Sequence, residues 1–296
     1  MSIPFLIDGE VSGLLAGFSP AGSPVLVPYG SVLKPSEPGS AHPSWSDCPE
    51  AQALRGRTWI VCASGPSLSV EAMRHMSAFN LERPDLVWVA VDAALRFVSP
   101  HIFFFTGESG RERWWGTVRE IEPSLRPYLV TCEGSDKAAL SVPWKDVYDF
   151  AGSATSTWAA SVAQAIRFAA VSGAAKVVLL GVDCAYDEKG RGFFYDPHSH
   201  GADVLSRRGA VAVLGIGGKT CHVNAAHWRA AELLAATAKA VGHEFGTIVL
   251  NASNHGILDL PCGNVPLGKA VEKEAEVTTN GDYVHRTPVV LPRPRV

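Results

Sequence analysis

Apolar and polar positions alternate along the chain with two different periods, and together they predict a sheet covered by helices. Short β-branched and aromatic runs predict buried strands at 58–63, 86–91, 102–106, 127–131, 176–182 and 247–251. Longer stretches with helical spacing predict helices at 67–79, 111–121, 155–171 and 225–241. Strands and helices that alternate in this way form parallel sheets. We therefore predict an α/β fold with a Rossmann-like, mostly parallel sheet and helices on both faces.

The predicted sheet lies between two irregular arms. Residues 1–55 are rich in proline, glycine and serine and show little periodicity, which predicts an irregular N-terminal arm. Residues 56–267 carry the alternating pattern and form the predicted nucleotide-binding domain. Residues 268–296 are first charged and then rich in proline and arginine, which predicts an extended C-terminal tail.

The composition argues against a nucleic-acid-binding protein, a membrane protein and a disulfide-rich secreted protein. A formal net charge of -3 gives no bulk attraction to nucleic acid or to an anionic membrane. The six cysteines are scattered without a Cys-x-x-Cys pair, which favours a reduced, cytoplasmic protein. The N-terminus lacks a signal-peptide pattern, and polar residues interrupt the most apolar long segment, 159–182. We expect no membrane span.

The turn after the first predicted strand is the most informative segment. It reads Ser64, Gly65, Pro66 and Ser67. Glycine allows a close backbone approach, proline suits the first helical position, and serine can cap the helix. The free N–H groups of such a helix start attract phosphate. This corner predicts either a nucleotide-phosphate site or a plain strand–turn–helix junction.

Polar residues also follow other predicted strands. Asp92, Thr106, Asp183 and Asn251 each come directly after a strand or end one. Ligands of open α/β sheets bind outside the carboxyl ends of the strands, although each such residue alone is more often a cap. Their recurrence indicates a ligand site at this edge of the sheet.

Further candidates lie in the later part of the chain. The aromatic loop 186–203 is long enough to form a lid. His222 and His227 flank the start of the last predicted helix, where either can act as a general base. His198 and His200 have no third ligand nearby, so we assign no metal site.

Three stretches of the chain resemble motifs of known families and follow one another in the same order as those motifs. Residues 63–68 look like a Gly-x-Gly-Pro-Ser-Leu nucleotide loop, and 89–102 look like a strand, a helix and the start of a third strand. Residues 152–156, with 173–186, look like a Gly-Ser-Ser helix and a Gly-x-Asp strand end. Residues 58–261 thus resemble the bacterial sialyltransferases of glycosyltransferase family 42. They also resemble the domain family named for the archaeal 6-hydroxymethylpterin diphosphokinase, which includes glycosyltransferases of flagellin modification.

The resemblance implies a role for each matching residue. The loop and the next strand ends would hold the nucleotide, through Ser64, Gly65, Pro66, Ser67, Asp92, Thr106 and Asp183. Ser153 or Ser156 would meet it from the long helix, and Tyr186 and Tyr195 would assist the leaving phosphate. His222 would be the general base, with His227 as the alternative. The chain departs from the sialyltransferases, which have asparagines where it has Ser64, Asp92 and Thr106.

Three functions fit these observations. The first is a glycosyltransferase that uses a CMP- or UDP-linked sugar, needs no further cofactor, and acts on a glycan, a protein or a modified base. The second is a Mg²⁺-dependent diphosphokinase with Asp92, Glu108 and Asp183 as metal ligands. The third is a non-catalytic structural or interaction protein that retains the fold. A homo-oligomer and a Mg²⁺ requirement remain open in the first case.

Overall fold

The fold was analysed in a computed structural model, which describes residues 45, 48–68, 83, 85–96, 98, 100–105, 127–133, 147–153, 158–193 and 202–272. Its strands are β1 (Thr58–Cys62), β2 (Leu86–Val91), β3 (Ile102–Phe105), β4 (Tyr128–Glu133), β5 (Val147–Ser153), β6 (Lys176–Leu180), β7 (Val211–Leu214), β8 (Thr220–Val223) and β9 (Ile248–Asn251). Its α-helices are α1 (Pro49–Ala53), α2 (Trp158–Val171), α3 (Ala202–Arg207), α4 (Ala225–Phe245) and α5 (Leu267–Ala270).

The main sheet confirms the predicted α/β architecture. Seven strands pair in the order β5-β4-β3-β2-β1-β6-β9, and every pairing is parallel. From β1 the chain adds strands on one side as far as β5, and then crosses to the other side of β1 for β6 and β9. β7 and β8 form a separate antiparallel hairpin.

The central strands are apolar on both faces because helices and loops cover both faces. All residues of β2 and β6 are buried. Along β1, Trp59 and Val61 contribute to the core under α2 and α4, whereas Ile60 and Cys62 contribute to the core under α5. This division follows from the period of two in a strand, which turns successive side chains to opposite faces.

The long helix α4 has clear boundary signals. The Asn224 side chain accepts hydrogen bonds from the backbone N–H groups of Ala226 and His227. The His227 side chain in turn accepts a hydrogen bond from the Asn224 N–H. This capping box fixes the first turn. At the other end Gly246 adopts a left-handed conformation, with φ 69°, and closes the helix.

Several elements were not expected from the sequence, namely the edge strand β5, the hairpin β7–β8 and the short helices α1, α3 and α5. Residues 152 and 153 were expected to open a long helix, but they end strand β5, and α2 begins at Trp158. β5 is an edge strand with an irregular register against β4, so it tolerates the glycine and serine at its end. The hairpin β7–β8 was not predicted because its strands are short and only partly buried.

Other expectations fall partly outside the described residues. This applies to helix 111–121, to nearly all of helix 67–79, and to most of both predicted arms. Within the predicted N-terminal arm, Trp45 and α1 pack on the core. No helix within the described ranges is both long enough and apolar enough to cross a membrane.

Phe168 provides a test of the core beneath α2. Its ring is fully buried, and its centroid lies 5.4 Å from Trp45, 5.5 Å from Trp59 and 5.2 Å from Phe104. We expect Phe168→Ala to lower the free energy of unfolding by about 3–5 kcal/mol, because the cavity cannot fully collapse. Val171→Ala on the same helix is the control, since Val171 is 41% exposed and should cost less than about 0.5 kcal/mol. Urea denaturation measures both, and equal effects would contradict this account of the core.

Candidate functional site

A cavity of about 250 Å³ lies at the carboxyl ends of β1 and β6, where the order in which the chain adds strands to the sheet reverses. Open α/β sheets bind their ligands at such a topological switch point, because the loops on either side of it diverge. Seven of the predicted site residues line this cavity, namely Ser64, Gly65, Pro66, Asp92, Asp183, Tyr186 and His227.

The loop after β1 is held tightly against the end of β6. The Gly65 N–H donates to the Gly181 carbonyl at 2.8 Å, and the Ser67 N–H donates to Asp183 Oδ2 at 2.8 Å. A Cβ atom on residue 65 would collide with Asp183 Oδ2 and the Gly181 carbonyl oxygen. Glycine is therefore required at position 65 by the close approach of two backbone segments.

Three N–H groups in and after this loop are already engaged within the protein. Those of Gly65 and Ser67 donate to β6-end oxygens, the Leu68 N–H donates to the Gly65 carbonyl at 3.0 Å, and Pro66 has no N–H. Asp183 thus occupies the position where an external anion was expected to bind. The phosphate-loop expectation remains untested, but these three donors are not available to a ligand without rearrangement.

Asp183 is a buried acid with one unsatisfied oxygen. Its side chain is 1% exposed, and Oδ1 has no hydrogen-bond partner. Burial raises its pKa to about 7, while the bond from the Ser67 N–H and the nearby Ser67 hydroxyl oppose the rise. That hydroxyl favours the ionised carboxylate although its Oγ makes no hydrogen bond of good geometry. Near neutral pH this carboxyl can therefore donate or accept a proton.

Asp92 is a second acid of similar character at the end of β2. Burial raises its pKa to about 7, and a hydrogen bond with the Ser161 side chain partly offsets the rise. The side chain keeps some exposure because it lines the cavity. A carboxyl that titrates near neutral pH and faces a cavity is suited to acid–base chemistry.

The backbone around the cavity is strained at two points. Asp92 has φ 47° and Cys184 has φ 51°, and they are the two non-glycine residues with positive φ in the described parts of the chain. Both line the cavity. Such conformations cost about 1–3 kcal/mol each and are concentrated at functional sites. Their location independently supports the cavity as the functional site.

His227 is a neutral hydrogen-bond donor rather than a ready base. Its Nδ1 accepts the Asn224 N–H at 3.2 Å, so the neutral ring carries its proton on Nε2. Burial lowers its pKa to about 4, and the ring therefore stays neutral at pH 7. The Tyr186 ring packs edge-on against it, with centroids 4.6 Å apart.

His222 lies beside the cavity and does not line it. Its backbone pairs with that of Tyr186 through two hydrogen bonds of 2.8 and 3.0 Å. Its Nδ1 lies 3.3 Å from the Asp187 carbonyl oxygen. The structure therefore places His222 where it positions Tyr186, while its predicted role as general base remains untested.

The other predicted residues are scattered. Ser67 donates its N–H to Asp183 and does not line the cavity. Ser153 lies at the end of the edge strand β5 rather than at a helix start. Thr106, Ser156 and Tyr195 lie outside the described residues, as do Glu108, His198 and His200. At the end of β9, the Asn251 side chain bonds the Leu258 carbonyl and the Ser253 N–H, so it holds local backbone.

One charged lining residue, Arg208, was not indicated by any sequence pattern. Phe193 also lines the cavity, and it belongs to the loop 186–203 that was predicted to form a lid. Arg208 lies in a short polar run, 206–209, that has no periodic or motif signal, and it reaches the cavity because α3 ends beside Tyr186. In the portion of the chain that is described, no cluster of three or more histidine, cysteine or acidic side chains could hold a metal ion.

Comparisons with known proteins give little further guidance. No protein-family model matches the chain, and no curated protein sequence matches it. One similar solved structure is a MAf glycosyltransferase from Magnetospirillum magneticum AMB-1, at 14% identity and a TM-score of 0.46. The match covers 69% of this chain but only 33% of that one, so the chain spans about a third of that protein's length. A likeness this distant carries no argument about activity.

Gly65→Ala tests the clamp between the β1 loop and β6. The new Cβ must displace either the Asp183 carboxyl or the Gly181 carbonyl, so we expect a loss of roughly 1–3 kcal/mol in the free energy of unfolding. The control is Gly268→Ala in α5, where no atom lies within 4 Å of the new Cβ. That variant should be neutral or slightly stabilised. Thermal melts of both variants decide the matter, and an unaffected Gly65→Ala would show that the loop is not clamped.

Asp183→Asn should change how stability depends on pH. The carboxyl has a pKa of about 7 when folded and the ordinary aspartate value of 3.8 when unfolded, so the folded chain binds an extra proton between these pH values. Its contribution to stability is full below about pH 4 and is lost as pH rises through about 7. Asparagine cannot ionise, so the variant does not lose stability through a buried negative charge as the pH rises. We expect its free energy of unfolding, relative to that of the wild type, to increase by on the order of a few kcal/mol between about pH 4 and 8.

Melting temperatures of both proteins across that pH range measure the effect. Glu244→Gln on the exposed end of α4 is the control for removing one carboxylate from the surface. His227 changes stability in the opposite sense at acid pH, but it does so equally in all three proteins. A pH-independent offset for Asp183→Asn would contradict the raised pKa.

Proposed function

We propose that the chain is a glycosyltransferase that binds a nucleotide sugar in the cavity at the switch between β1 and β6. The observation that carries this proposal is the set of groups around that cavity. Two acids that titrate near neutrality, a neutral imidazole and a phenol line one cavity at a nucleotide-type position of the sheet. Sugar transfer needs a base for the acceptor and donors for the leaving group.

In the proposed reaction the acceptor hydroxyl oxygen attacks the anomeric carbon of the sugar. The bond between that carbon and the phosphate oxygen breaks, and the bonding electrons leave with the nucleotide phosphate. Asp92 takes the acceptor proton, because it lines the cavity and keeps some exposure to it. The His227 Nε2–H and the Tyr186 hydroxyl are neutral donors for the developing charge on the phosphate.

This assignment differs from the sequence expectation, in which His222 is the base. His222 does not line the cavity, whereas Asp92 does. Asp183 is less suited to this role because one of its oxygens is held by the Ser67 N–H. Asp92 and Asp183 line the same cavity, which is the observation that favours the Mg²⁺-dependent diphosphokinase as a second candidate. Its third predicted ligand, Glu108, lies outside the described residues.

Ligand binding distinguishes these functions. The purified protein is melted with CMP, UDP, GDP, ADP and ATP, each with and without Mg²⁺. A ligand of the folded state at a hundredfold excess over its Kd adds about 2.7 kcal/mol to the free energy of unfolding. Stabilisation by CMP, UDP or GDP without metal supports the transferase. Stabilisation by ATP with Mg²⁺ alone supports the diphosphokinase, and no stabilisation supports a non-catalytic protein.

Asp92→Asn and His222→Ala then form a matched pair for the base. The donor is a sugar linked to whichever nucleotide stabilises the protein in the melts. With this donor we expect Asp92→Asn to lower kcat by about 10²–10⁴-fold. His222→Ala should retain most activity. The wild-type rate should rise with pH through about 7, as the Asp92 carboxyl loses its proton, and this rise should vanish in Asp92→Asn. If His222→Ala lowers kcat more than Asp92→Asn does, His222 is the general base instead.

A further inference from the structure

The phosphate of a bound nucleotide needs hydrogen-bond donors or a positive charge in the cavity. The loop after β1 is poorly suited to hold it, because its Gly65, Ser67 and Leu68 N–H groups donate to protein oxygens. The Asp183 carboxyl is packed against that loop and carries negative charge whenever it is ionised. A phosphate placed there would lack these donors and be repelled by a neighbouring carboxylate.

Arg208 offers the missing charge. Among the described residues that line the cavity it is the single lysine or arginine. Its guanidinium lies over the Tyr186 ring, with Cζ 5.6 Å from the ring centroid. A cation–π contact holds the guanidinium near the ring without using its N–H groups in hydrogen bonds, so these can bind a second, anionic partner.

The charge of Arg208 is not consumed by a carboxylate in the described part of the chain. The ion pairs there are Arg83–Asp85 and Arg191–Asp187. The charges that shift the pKa of Asp183 come from Asp187 and Lys219. An exposed arginine at a cavity, held by a tyrosine and not by an acid, is available to an anionic ligand.

We propose that Arg208 binds the phosphate of the nucleotide, and that the uncharged hydroxyl groups of the ligand face Asp92 and Asp183. Carboxyl groups that titrate near neutrality form hydrogen bonds with hydroxyls readily, whereas they repel phosphate when ionised. This places the phosphate beside Tyr186 rather than in the loop after β1. The inference rests on the proposed binding of a nucleotide, but it concerns a residue that neither motif nor periodicity indicated.

The test compares a nucleotide with its own nucleoside by isothermal titration calorimetry on the full chain. CMP with cytidine, UMP with uridine and GMP with guanosine are titrated into wild type, Arg208→Ala, Arg208→Lys and Arg207→Ala. Arg207 is the last residue of α3, does not line the cavity, and serves as the matched control. Inorganic pyrophosphate is titrated as well, because it probes the anion site without a base. Melts without ligand verify that each variant is folded.

We expect the wild type to bind the nucleotide at least about tenfold more tightly than the nucleoside, as a charge-assisted contact implies. In Arg208→Ala this ratio should fall towards one with nucleoside affinity unchanged, and pyrophosphate binding should be lost. Arg208→Lys should keep part of the ratio, and Arg207→Ala should keep all of it.

The outcomes separate this inference from the proposed function. If the wild type binds nucleotides but Arg208→Ala keeps the ratio, or loses nucleotide and nucleoside affinity equally, the inference is overturned while nucleotide binding stands. If the wild type binds pyrophosphate through Arg208 but no nucleotide or nucleoside, the anion site stands and the proposed function fails. If the wild type binds none of these ligands, both are overturned.

Discussion

The hydrogen bond from the Ser67 N–H to the Asp183 carboxyl joins the loop after β1 to the end of β6 at the candidate site. Around this bond the chain has glycine where any side chain would intrude. A Cβ on Gly65 would meet the carboxyl itself, and a Cβ on Gly256 would meet the Asp183 backbone carbonyl. The Ile257 N–H donates to that same carbonyl at 2.9 Å. The cavity keeps its shape because Asp183 is held through both its side chain and its backbone.

This arrangement favours function at the expense of stability. Two acids are buried deeply enough to raise their pKa to about 7, and two residues adopt left-handed backbone conformations beside them. Each feature lowers the free energy of unfolding and is tolerated because the core around it is extensive. The aromatic cluster around Phe168 and the fully buried strands β2 and β6 provide that core.

The cavity combines groups of different charge without relying on a titrating histidine. Burial keeps His227 neutral, and its Nδ1 is occupied by the cap of α4, so the ring can donate a hydrogen bond but is a poor base. Burial has the opposite effect on the acids, which it brings into the range where they can exchange protons near neutral pH. The same physical cause thus keeps the histidine neutral and lets the carboxyls exchange protons near neutral pH. Arg208, outside the buried region, keeps its charge available.

The sequence by itself determined the main strands and the two long described helices, because buried strands and amphipathic helices are local patterns of apolar residues. It also placed Ser64, Asp92 and Asp183 at strand ends, where parallel strands bring them to one edge. Only the tertiary structure decided how these groups behave. The Ser67–Asp183 bond joins residues 116 positions apart, and Arg208 meets Tyr186 through the end of α3. Edge strand β5 and hairpin β7–β8 likewise depend on their partners. Proton affinities and loop contacts arise from burial by distant segments, which no local pattern records.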